Sequence, residues 1–492
     1  MVRSQLYLPI EKIPPMIKKI LPLLLFIFSV HCAVSACSAI VLKNENALFF
    51  AKNFDWTYGD GYLIKNLRNV PKKAFYTQAG TPVSWVSKYG SVTFNQNGKE
   101  MPYGGMNEKG LAVEMLWMEY TDYGKQGEKE YLNELEWIQY QLDNYASVDE
   151  VIEQLDKRSI YPVKGKIHYI LADPGGNSVV IEFMFGKVSW SKKEPNQCQA
   201  ITNYTVGMSQ LNYEKQGARL KGNNSSHFHR YNVLQRNIDQ RVFEKTSLTV
   251  DDAFGALNDV SIDKSGFRTF WSIVYDLKQK IVYFKTENSK GIKELDIKTL
   301  DFDQDILGLD INSSVKGNIV PHLSPYRQET NTKLIQISFA EIGLEKVDAA
   351  ELSAHQFFFN VTPENSFTKN YGSLEMVLKA KEGKLGNIIF AIIDSEEHAR
   401  QQKAIEGGAG NFNIDAEVYT WQYYGLPKGE YIVVAIQDKI RNRQLDFDKQ
   451  GNATEKYAIS KQQKTSKGQL PAFKDCIIKC TDTHNEVVLL VE

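Results

Sequence analysis

The feature that most constrains this chain is the boundary between an apolar run and a single cysteine near its start. Two lysines precede the apolar run Ile20 to Val30, which is too short to span a bilayer as a folded helix but typical of a signal-peptide core. Val34 and Ala36 supply the small side chains that a signal peptidase reads. We therefore predict that residues 1–36 are a signal peptide, that cleavage follows Ala36, and that the protein is exported to the periplasm or the cell exterior.

Cleavage at this point would make Cys37 the first residue, with a free α-amine and a thiol on one residue. The pKa of an α-amine is about 8 and that of a cysteine thiol about 8.5, so a neutral amine can accept the thiol proton without a histidine. Cys37 is thus a candidate nucleophile. Two alternatives remain: a lone cysteine is commonly a small buried apolar residue, and Val34-Ser35-Ala36-Cys37 also fits the lipobox of bacterial lipoproteins.

Length and composition indicate a folded protein of two domains. The chain has 492 residues, 42% of them hydrophobic and 24% charged, which is typical of globular proteins and not of disordered ones. The net charge of -1 gives no attraction to nucleic acid or to an anionic membrane, so neither is predicted as a partner. Beyond the signal peptide, no segment has the length and apolarity of a membrane span. Whether the chain forms a homo-oligomer stays open.

Short strands joined by turns follow Cys37, and helical patterns follow the strands. Ser38 to Leu42 is apolar, the turn 43–46 comes next, and a second strand delivers Lys52 and Asp55. A hairpin of this kind would return Lys52 and Asp55 to the neighbourhood of Cys37. The plainer interpretation is an exposed ion pair at a strand end. Mixed strands and helices predict an α+β domain with layered sheets over residues 37–315.

The remainder of the chain has a different character. Residues 316–332 are polar and rich in turn formers, so we predict a linker there, followed by an all-β sandwich domain over 333–492 with no catalytic constellation. Cys476 and Cys480 lie close enough in sequence to form a local disulfide, and their pairing is left open. No spacing of His and Cys matches a metal site, so neither a metal nor an organic cofactor is expected.

Several pieces of the first domain together resemble one family. They are Cys37, Lys52-Asn53-Phe54-Asp55-Trp56, Met106-Asn107-Glu108-Lys109-Gly110-Leu111, Ile201-Thr202-Asn203, the segment Ser225-Ser226 to Arg230, and the hairpin from Trp271 to Lys285. In order and spacing they resemble the choloylglycine hydrolase and penicillin V acylase family, which belongs to the N-terminal-nucleophile superfamily. The resemblance covers roughly residues 37–310 and implies a four-layer αββα fold in which two antiparallel sheets pack between helices.

The resemblance also implies roles for particular residues. Cys37 resembles the nucleophile, its α-amine the base, and Asp55 the carboxylate that orients the amine. Asn203 resembles the side chain that donates into the oxyanion hole, where one donor contributes about 10² to 10³ in rate. Trp117 stands where the family places a second donor, the backbone N–H.

Two positions differ from the family pattern or admit a second alignment. Arg230, followed by an aromatic residue, matches the family's Arg-aromatic pair, and His227 is a rival alignment for it. Lys52 stands where the family usually has arginine. A planar guanidinium is thus replaced by an ammonium group, but a cation that can lower the pKa of the thiol is preserved.

The favoured prediction is an exported cysteine amidase that hydrolyses a small-molecule N-acyl amide of the bile-salt, penicillin V or acyl-homoserine-lactone type. Trp56, Trp117 and Tyr204 favour an apolar acyl group, although aromatic side chains are commonly core residues. One alternative is a lipid-anchored binding module with Cys37 acylated and no catalysis. Another is acyl transfer by the same nucleophile, which the sequence does not separate from hydrolysis.

Overall fold

The structure is a computed structural model that describes residues 37–492 apart from 79, 125–126, 128, 217–221, 244–246, 265, 360–361, 402, 406, 440–444 and 466–470. The predicted signal peptide, residues 1–36, lies outside the described residues. The predicted α+β class is confirmed, because helices and several sheets alternate along the described chain. Within these described ranges, none of the helices is long and apolar enough to cross a bilayer.

The described residues of the first part of the chain form two large sheets, two small two-stranded sheets and five α-helices. Its strands are β1 Ser38–Lys43, β2 Leu48–Trp56, β3 Tyr62–Asn66, β4 Pro71–Lys73, β5 Ser84–Val86, β6 Ser91–Asn95, β7 Pro102–Asn107, β8 Ala112–Trp117, β9 Tyr131–Leu132, β10 Ser159–Ile160, β11 Ile167–Ala172, β12 Ser178–Met184, β13 Lys187–Lys193, β14 Gln199–Ile201, β15 Asp263–Lys264, β16 Phe267–Asp276, β17 Ile281–Thr286, β18 Lys293–Asp296, β19 Leu307–Asp310, β20 Gly317–Asn318 and β21 Ser324–Pro325. The helices are α1 Glu136–Asn144, α2 Val148–Ile152, α3 Val206–Gln216, α4 His227–Ile238 and α5 Val250–Asp259.

The first sheet has the strand order β14-β1-β2-β16-β17-β18-β20, with β15 paired to β16, and the second has the order β13-β12-β11-β8-β7-β6-β3-β19-β21. The small sheets are β4-β5 and β9-β10. Apolar side chains of both sheets share one core, which includes Val41 and Phe50 of the first sheet and Val113 and Leu171 of the second. On its other face the first sheet buries a separate cluster against α4 and α5. Helix α1 packs on the second sheet, where Trp137 stacks on Tyr169 with ring centroids 4.1 Å apart.

The hairpin predicted after Cys37 is confirmed. The side-chain oxygen of Asn44 accepts hydrogen bonds from the backbone N–H groups of Asn46 and Ala47, at 3.0 and 2.9 Å, which is an Asx turn that closes the connection locally. The register places Ser38 opposite Asn53 and Ala39 opposite Lys52. The sequence of the turn thus aligns the residues around Cys37 with those at the far end of β2.

The C-terminal region begins with helices, which corrects the expected linker and the expectation of β structure from 333 onward. These helices are α6 Gln328–Glu341, α7 Ala349–Phe358 and α8 Ser366–Asn370. Leu334, Ile335 and Phe339 are buried, and the last two join the core of the first part. One of the polar residues that suggested a linker, Asn331, is itself buried: it donates to Ser353 and Gln356 and accepts from the backbone N–H of Lys99. Composition does not distinguish such a network from a solvated loop.

Two further sheets complete the C-terminal region. Its strands and remaining helices are β22 Tyr371–Ala380, β23 Gly386–Ile393, α9 Glu396–Gln401, β24 Ala409–Ile414, β25 Val418–Pro427, β26 Gly429–Gln437, β27 Tyr457–Ile459, α10 Phe473–Cys476, β28 Ile478–Cys480 and β29 His484–Val491. The sheets β25-β22-β29 and β24-β23-β26-β27 share one apolar core. Cys476 and Cys480 are both buried as free thiols and are not paired to each other.

Candidate active site

Cys37 lies immediately before β1, an inner strand of the first sheet. Its side chain is 3% exposed, and Sγ lies 3.7 Å from the backbone carbonyl of Asp55. Burial raises the pKa of the thiol to about 11, against the opposing influence of the nearby cations Lys52 and Arg230. The thiol is therefore protonated at neutral pH and requires a base before it can act as a nucleophile.

Arg230 ties the start of β1 to the residues beyond β14. It lies on α4, is completely buried, and donates from Nη1 to the backbone carbonyl of Cys37 at 2.6 Å and to the hydroxyl of Ser38 at 2.7 Å. Its Nη2 donates to Asn203 Oδ1 at 2.9 Å. The amide nitrogen of Asn203 donates in turn to the backbone carbonyl of Trp117 at 2.8 Å. Four sequence-predicted residues thus form one continuous chain of hydrogen bonds.

Asp55 lies at the end of β2, where β16 carries an irregularity between Thr269 and Trp271. Bulges of this kind re-aim side chains and are common beside active sites. The hydroxyl of Thr269 donates to Asp55 Oδ1 at 2.5 Å, whereas the buried Oδ2 has no hydrogen-bond partner among the described groups. Burial raises the pKa of Asp55 to about 7, although the nearby guanidinium of Arg230 acts in the opposite direction.

Lys52 joins the two sheets through a buried ion pair. Its Nζ lies 2.7 Å from Glu114 Oε2, and Tyr275 donates its hydroxyl hydrogen to Glu114 Oε1 at 2.6 Å. A Cβ added to Gly104 would come within 2.1 Å of the carboxylate of Glu114, so this position has room only for glycine. Burial raises the pKa of Glu114, and the ammonium of Lys52 opposes the rise. Lys52 therefore contributes a fixed cation close to the thiol.

A narrow cavity of about 50 Å³ opens beside Cys37. Its lining combines aromatic and apolar side chains with three polar ones, as follows: Phe54, Trp56, Asn97, Tyr103, Met115, Trp117, Glu134, Leu135, Lys164, Gly165, Ile167 and Ile342. Pockets for drug-sized ligands usually measure about 300–1,000 Å³, so the cavity as it stands admits only a small group. Within the described part of the chain, no cluster of three or more metal-binding side chains occurs.

Of the aromatic residues predicted to contact the substrate, Trp56 and Trp117 line this cavity and Tyr204 does not. Tyr204 stacks on His227, with ring centroids 4.7 Å apart, and contacts Tyr120 edge-on at 5.0 Å. Burial, together with the charge of Arg230, lowers the pKa of His227 to about 4. Of the two alignments left open, Arg230 is the one that contacts the backbone of Cys37, while His227 packs against an aromatic ring.

Several site residues were missed from the sequence. Glu114 had a signal, because a charged residue stands in the otherwise apolar strand Ala112–Trp117, and a buried carboxylate needs a cation. Thr269 and Tyr275 had none, since they look like ordinary strand residues. Ile342 lies at the end of a helix in the region predicted to be a β domain, so no local pattern connects it to Cys37.

The arrangement of two sheets around Cys37 matches solved hydrolases in fold. A penicillin V acylase from Agrobacterium tumefaciens superposes with a TM-score of 0.52 at 22% identity, covering 59% of this chain and 98% of that one. A variant of conjugated bile acid hydrolase from Clostridium perfringens gives 0.50 at 19% identity, covering 58% of this chain and all of that one. At such identities the likeness shows the fold alone.

Sequence comparison specifies the class. Residues 37–189 match the family model of linear amide C–N hydrolases, choloylglycine hydrolase family. A penicillin V acylase from Pectobacterium atrosepticum is 27% identical over 264 residues, which are 45% of this chain and 69% of the relative. Through residues 37–189 the chain matches the choloylglycine hydrolase family, as the sequence resemblance predicted, and the family model and the relative together indicate a hydrolase of C–N bonds in linear amides. Residues 378–488 match a family described as "uncharacterized protein conserved in bacteria (DUF2141)".

Proposed function

We propose that this protein is an exported amidase whose nucleophile is the thiol of Cys37, created as an N-terminal residue when the leader 1–36 is removed. The observation that carries the proposal is the buried side-chain oxygen Oδ2 of Asp55, which has no hydrogen-bond partner among the described groups, in a residue whose backbone carbonyl lies 3.7 Å from Cys37 Sγ. A buried carboxylate oxygen without a donor is costly. A free α-amine on Cys37 would supply the missing donor, and the carboxylate would hold that amine beside its own thiol.

The proposed reaction has two halves. The neutral α-amine takes the proton from Sγ, and the thiolate attacks the amide carbon to form a C–S bond. The C–N bond then breaks, the leaving amine takes the proton from the α-ammonium, and an acyl-enzyme remains. In the second half water gives a proton to the α-amine and attacks the thioester, and the C–S bond breaks. The carboxylic acid leaves, and the thiolate recovers its proton.

Charge on the reacting oxygen is proposed to be stabilised by Asn203, through its side-chain nitrogen, and by the backbone N–H of Trp117. Arg230 holds Asn203 by its side-chain oxygen, which directs the nitrogen toward the Trp117 end of the site. Arg230 and Lys52 also place two cations near the thiol, and both act to lower its pKa against the effect of burial. These contacts support a positioning and electrostatic role for Arg230 and Lys52.

The packing supports the proposed four-layer αββα arrangement of residues 37–315. One core is shared by the two large sheets, one lies between the first sheet and α4 and α5, and α1 covers the second sheet. The shared core of the two C-terminal sheets supports a β-sandwich. Because α6 and α7 bury residues in the first core, we place the start of that sandwich near Tyr371.

We propose an N-acyl amide with an apolar acyl group as the substrate, because Trp56, Trp117, Phe54 and Met115 line the cavity beside Cys37. The bile-salt, penicillin V and acyl-homoserine-lactone types remain the classes to be tested.

The experiment is a combined reading of the mature N-terminus and of amine release from a panel of these amides. Intact mass should show Cys37 as the first residue with an unmodified amine. Cys37→Ala should reduce amine release by at least about 10³-fold, whereas Cys198→Ala, at a half-buried cysteine immediately before β14, should retain it. A diacylglyceryl group on Cys37, or full activity of Cys37→Ala, would refute the proposal and favour the lipid-anchored module.

A further inference from the structure

We infer that the C-terminal region is part of the substrate pocket and selects the acyl group. In this inference Ile342 forms one wall of the cavity, and strand β25 fixes the segment 163–165 that forms another. The inference rests on the proposed function and deepens it. Neither Ile342 nor β25 lies within residues 37–189, the part that matches the amide hydrolase family.

The position of Ile342 is set by the way in which α6 ends. Gly343 adopts a left-handed backbone with φ of 72°, its N–H bonds to the carbonyl of Ala340 at 3.4 Å, and the N–H of Leu344 bonds to the carbonyl of Phe339 at 2.7 Å. This pair of bonds is a Schellman motif, which needs glycine at the left-handed position. Leu344 is buried and locks the turn into the core. Ile342 is therefore held rigidly against the cavity.

The second wall, Lys164 and Gly165, is held from two sides. On the inner side, the buried carboxylate of Glu134 accepts hydrogen bonds from the backbone N–H groups of Val163, Lys164 and Gly165, at 2.7, 3.0 and 2.6 Å. On the outer side, Lys164 Nζ donates to the hydroxyl of Tyr423 at 2.9 Å and lies 4.4 Å from the centre of that ring. The segment is thus held between Glu134 on one side and Tyr423 of the C-terminal region on the other.

Alternate residues of β25 make these outer contacts. Trp421 donates from Nε1 to Glu119 at 2.9 Å, Tyr423 accepts from Lys164, and Gly425 approaches the backbone of the same segment. Residues two apart on a strand point to the same side, so Trp421 and Tyr423 share one face of β25. Gly425 follows them at a register shift against β22 and has a left-handed backbone with φ of 59°. A Cβ on Gly425 would come within 2.8 Å of the carbonyl of Val163 and 3.0 Å of Lys164 Cδ. Glycine there allows the strand to approach the pocket wall.

Matched pairs of variants test the inference. Ile342→Ala should widen the cavity and raise kcat/KM for bulky relative to short acyl groups by about tenfold, the size of effect expected for a few methylene groups in an apolar pocket. Its control is Ile337→Ala, an exposed position on the same helix.

Gly425→Ala should displace 163–165 and change the same ratio, whereas Gly383→Ala, also left-handed but with open space around it, should not. Tyr423→Phe should act in the same direction as Gly425→Ala, with Tyr457→Phe as its control.

A second readout does not depend on turnover. The rates at which a small and a bulky alkylating reagent modify Cys37 should differ less in Ile342→Ala than in the wild-type protein, because the bulky reagent gains access. If the ratio of rates and the acyl preference of Ile342→Ala and Gly425→Ala equal those of their controls, the inference is refuted. If the wild-type protein releases no amine from any amide, the proposed function fails, and the alkylation ratios still decide whether Ile342 and β25 shape the cavity.

Discussion

The sheets around Cys37 and the sheets of the C-terminal region bury different kinds of side chain. Around Cys37 the interior holds Lys52, Asp55, Glu114 and Arg230, all at most 1% exposed. The shared core of the C-terminal sheets consists of residues such as Leu374, Ile388 and Val433. Burying charge is expensive, and a set of buried charged residues around a candidate nucleophile favours a role in chemistry over a role in stability. The C-terminal region also buries Glu375 and Asp438, but the shared core of its two sheets is apolar, which suits a wall and not a catalytic centre.

The largest effect is expected around Cys37, where one substitution should lower the catalytic rate. Asn203→Ala removes the side chain that links Arg230 to the backbone of Trp117 and that is proposed to stabilise charge on the substrate oxygen. We expect kcat to fall by about 10² to 10³-fold with a smaller change in KM. Steady-state kinetics on the preferred amide measure this. As a control, Asn224→Ala removes a half-buried asparagine of the same domain, whose side chain donates to the backbone carbonyls of Asp259 and Ser261, and it should leave kcat within twofold of the wild type. An equal loss in both variants would contradict the assignment.

The next effect is on stability. Lys52→Met leaves the carboxylate of Glu114 buried without its cation, and removing one partner of a buried ion pair costs about 3–5 kcal/mol in free energy of unfolding. Urea denaturation monitored by tryptophan fluorescence measures the loss. The double variant Lys52→Met with Glu114→Gln should recover much of it, since no isolated charge remains. A loss below about 1 kcal/mol in the single variant would show that Glu114 does not depend on Lys52 for its burial.

Asp55→Asn is expected to change how stability depends on pH. The pKa of Asp55 is raised by burial to about 7 in the folded chain, against about 4 in the unfolded chain. The folded state therefore holds this proton more tightly, so its stability falls as pH rises from about 4 to about 7. Asp55→Asn should remove that part of the slope, while Asp60→Asn, at an exposed aspartate, should preserve it. An unchanged slope in Asp55→Asn would show that Asp55 does not take up a proton in this range.

The smallest expected effect lies on the surface of the C-terminal region. Lys384 and Asp415 form an ion pair at 2.5 Å, with side chains 61% and 86% exposed. Such pairs contribute about 0.5 kcal/mol or less, because solvent screens them and both side chains lose freedom. Lys384→Ala should therefore leave both the free energy of unfolding and the substrate preference unchanged within error. A shift in acyl preference would show that the coupling to the pocket reaches well beyond β25.

The sequence predicts contacts between residues that are close together in the chain, and it misses contacts between residues that are far apart. The β1–β2 hairpin depends on one turn, and the strand pattern and Asn44 suffice to place Lys52 and Asp55 beside Cys37. The Lys52–Glu114 pair joins strands in different sheets, so neither strand reveals it alone. The helix α6 begins inside the stretch predicted as a linker, whose polar composition conceals it, and α7 and α8 lie in the stretch predicted as a β-sandwich. Ile342 combines both difficulties: a missed helix and a contact far along the chain.

The helix end at Ile342 also has a consequence for how such enzymes diversify. Because Ile342 belongs to no strand, exchanging its side chain leaves the pairing of both large sheets and the hydrogen bonds to Cys37 untouched. Substrate range and reactivity can then evolve separately, one through a single helix terminus and the other through the sheets. Among proteins that share this architecture, we expect the residue at the position of Ile342 to vary with the substrate, while the residues around Cys37 stay the same.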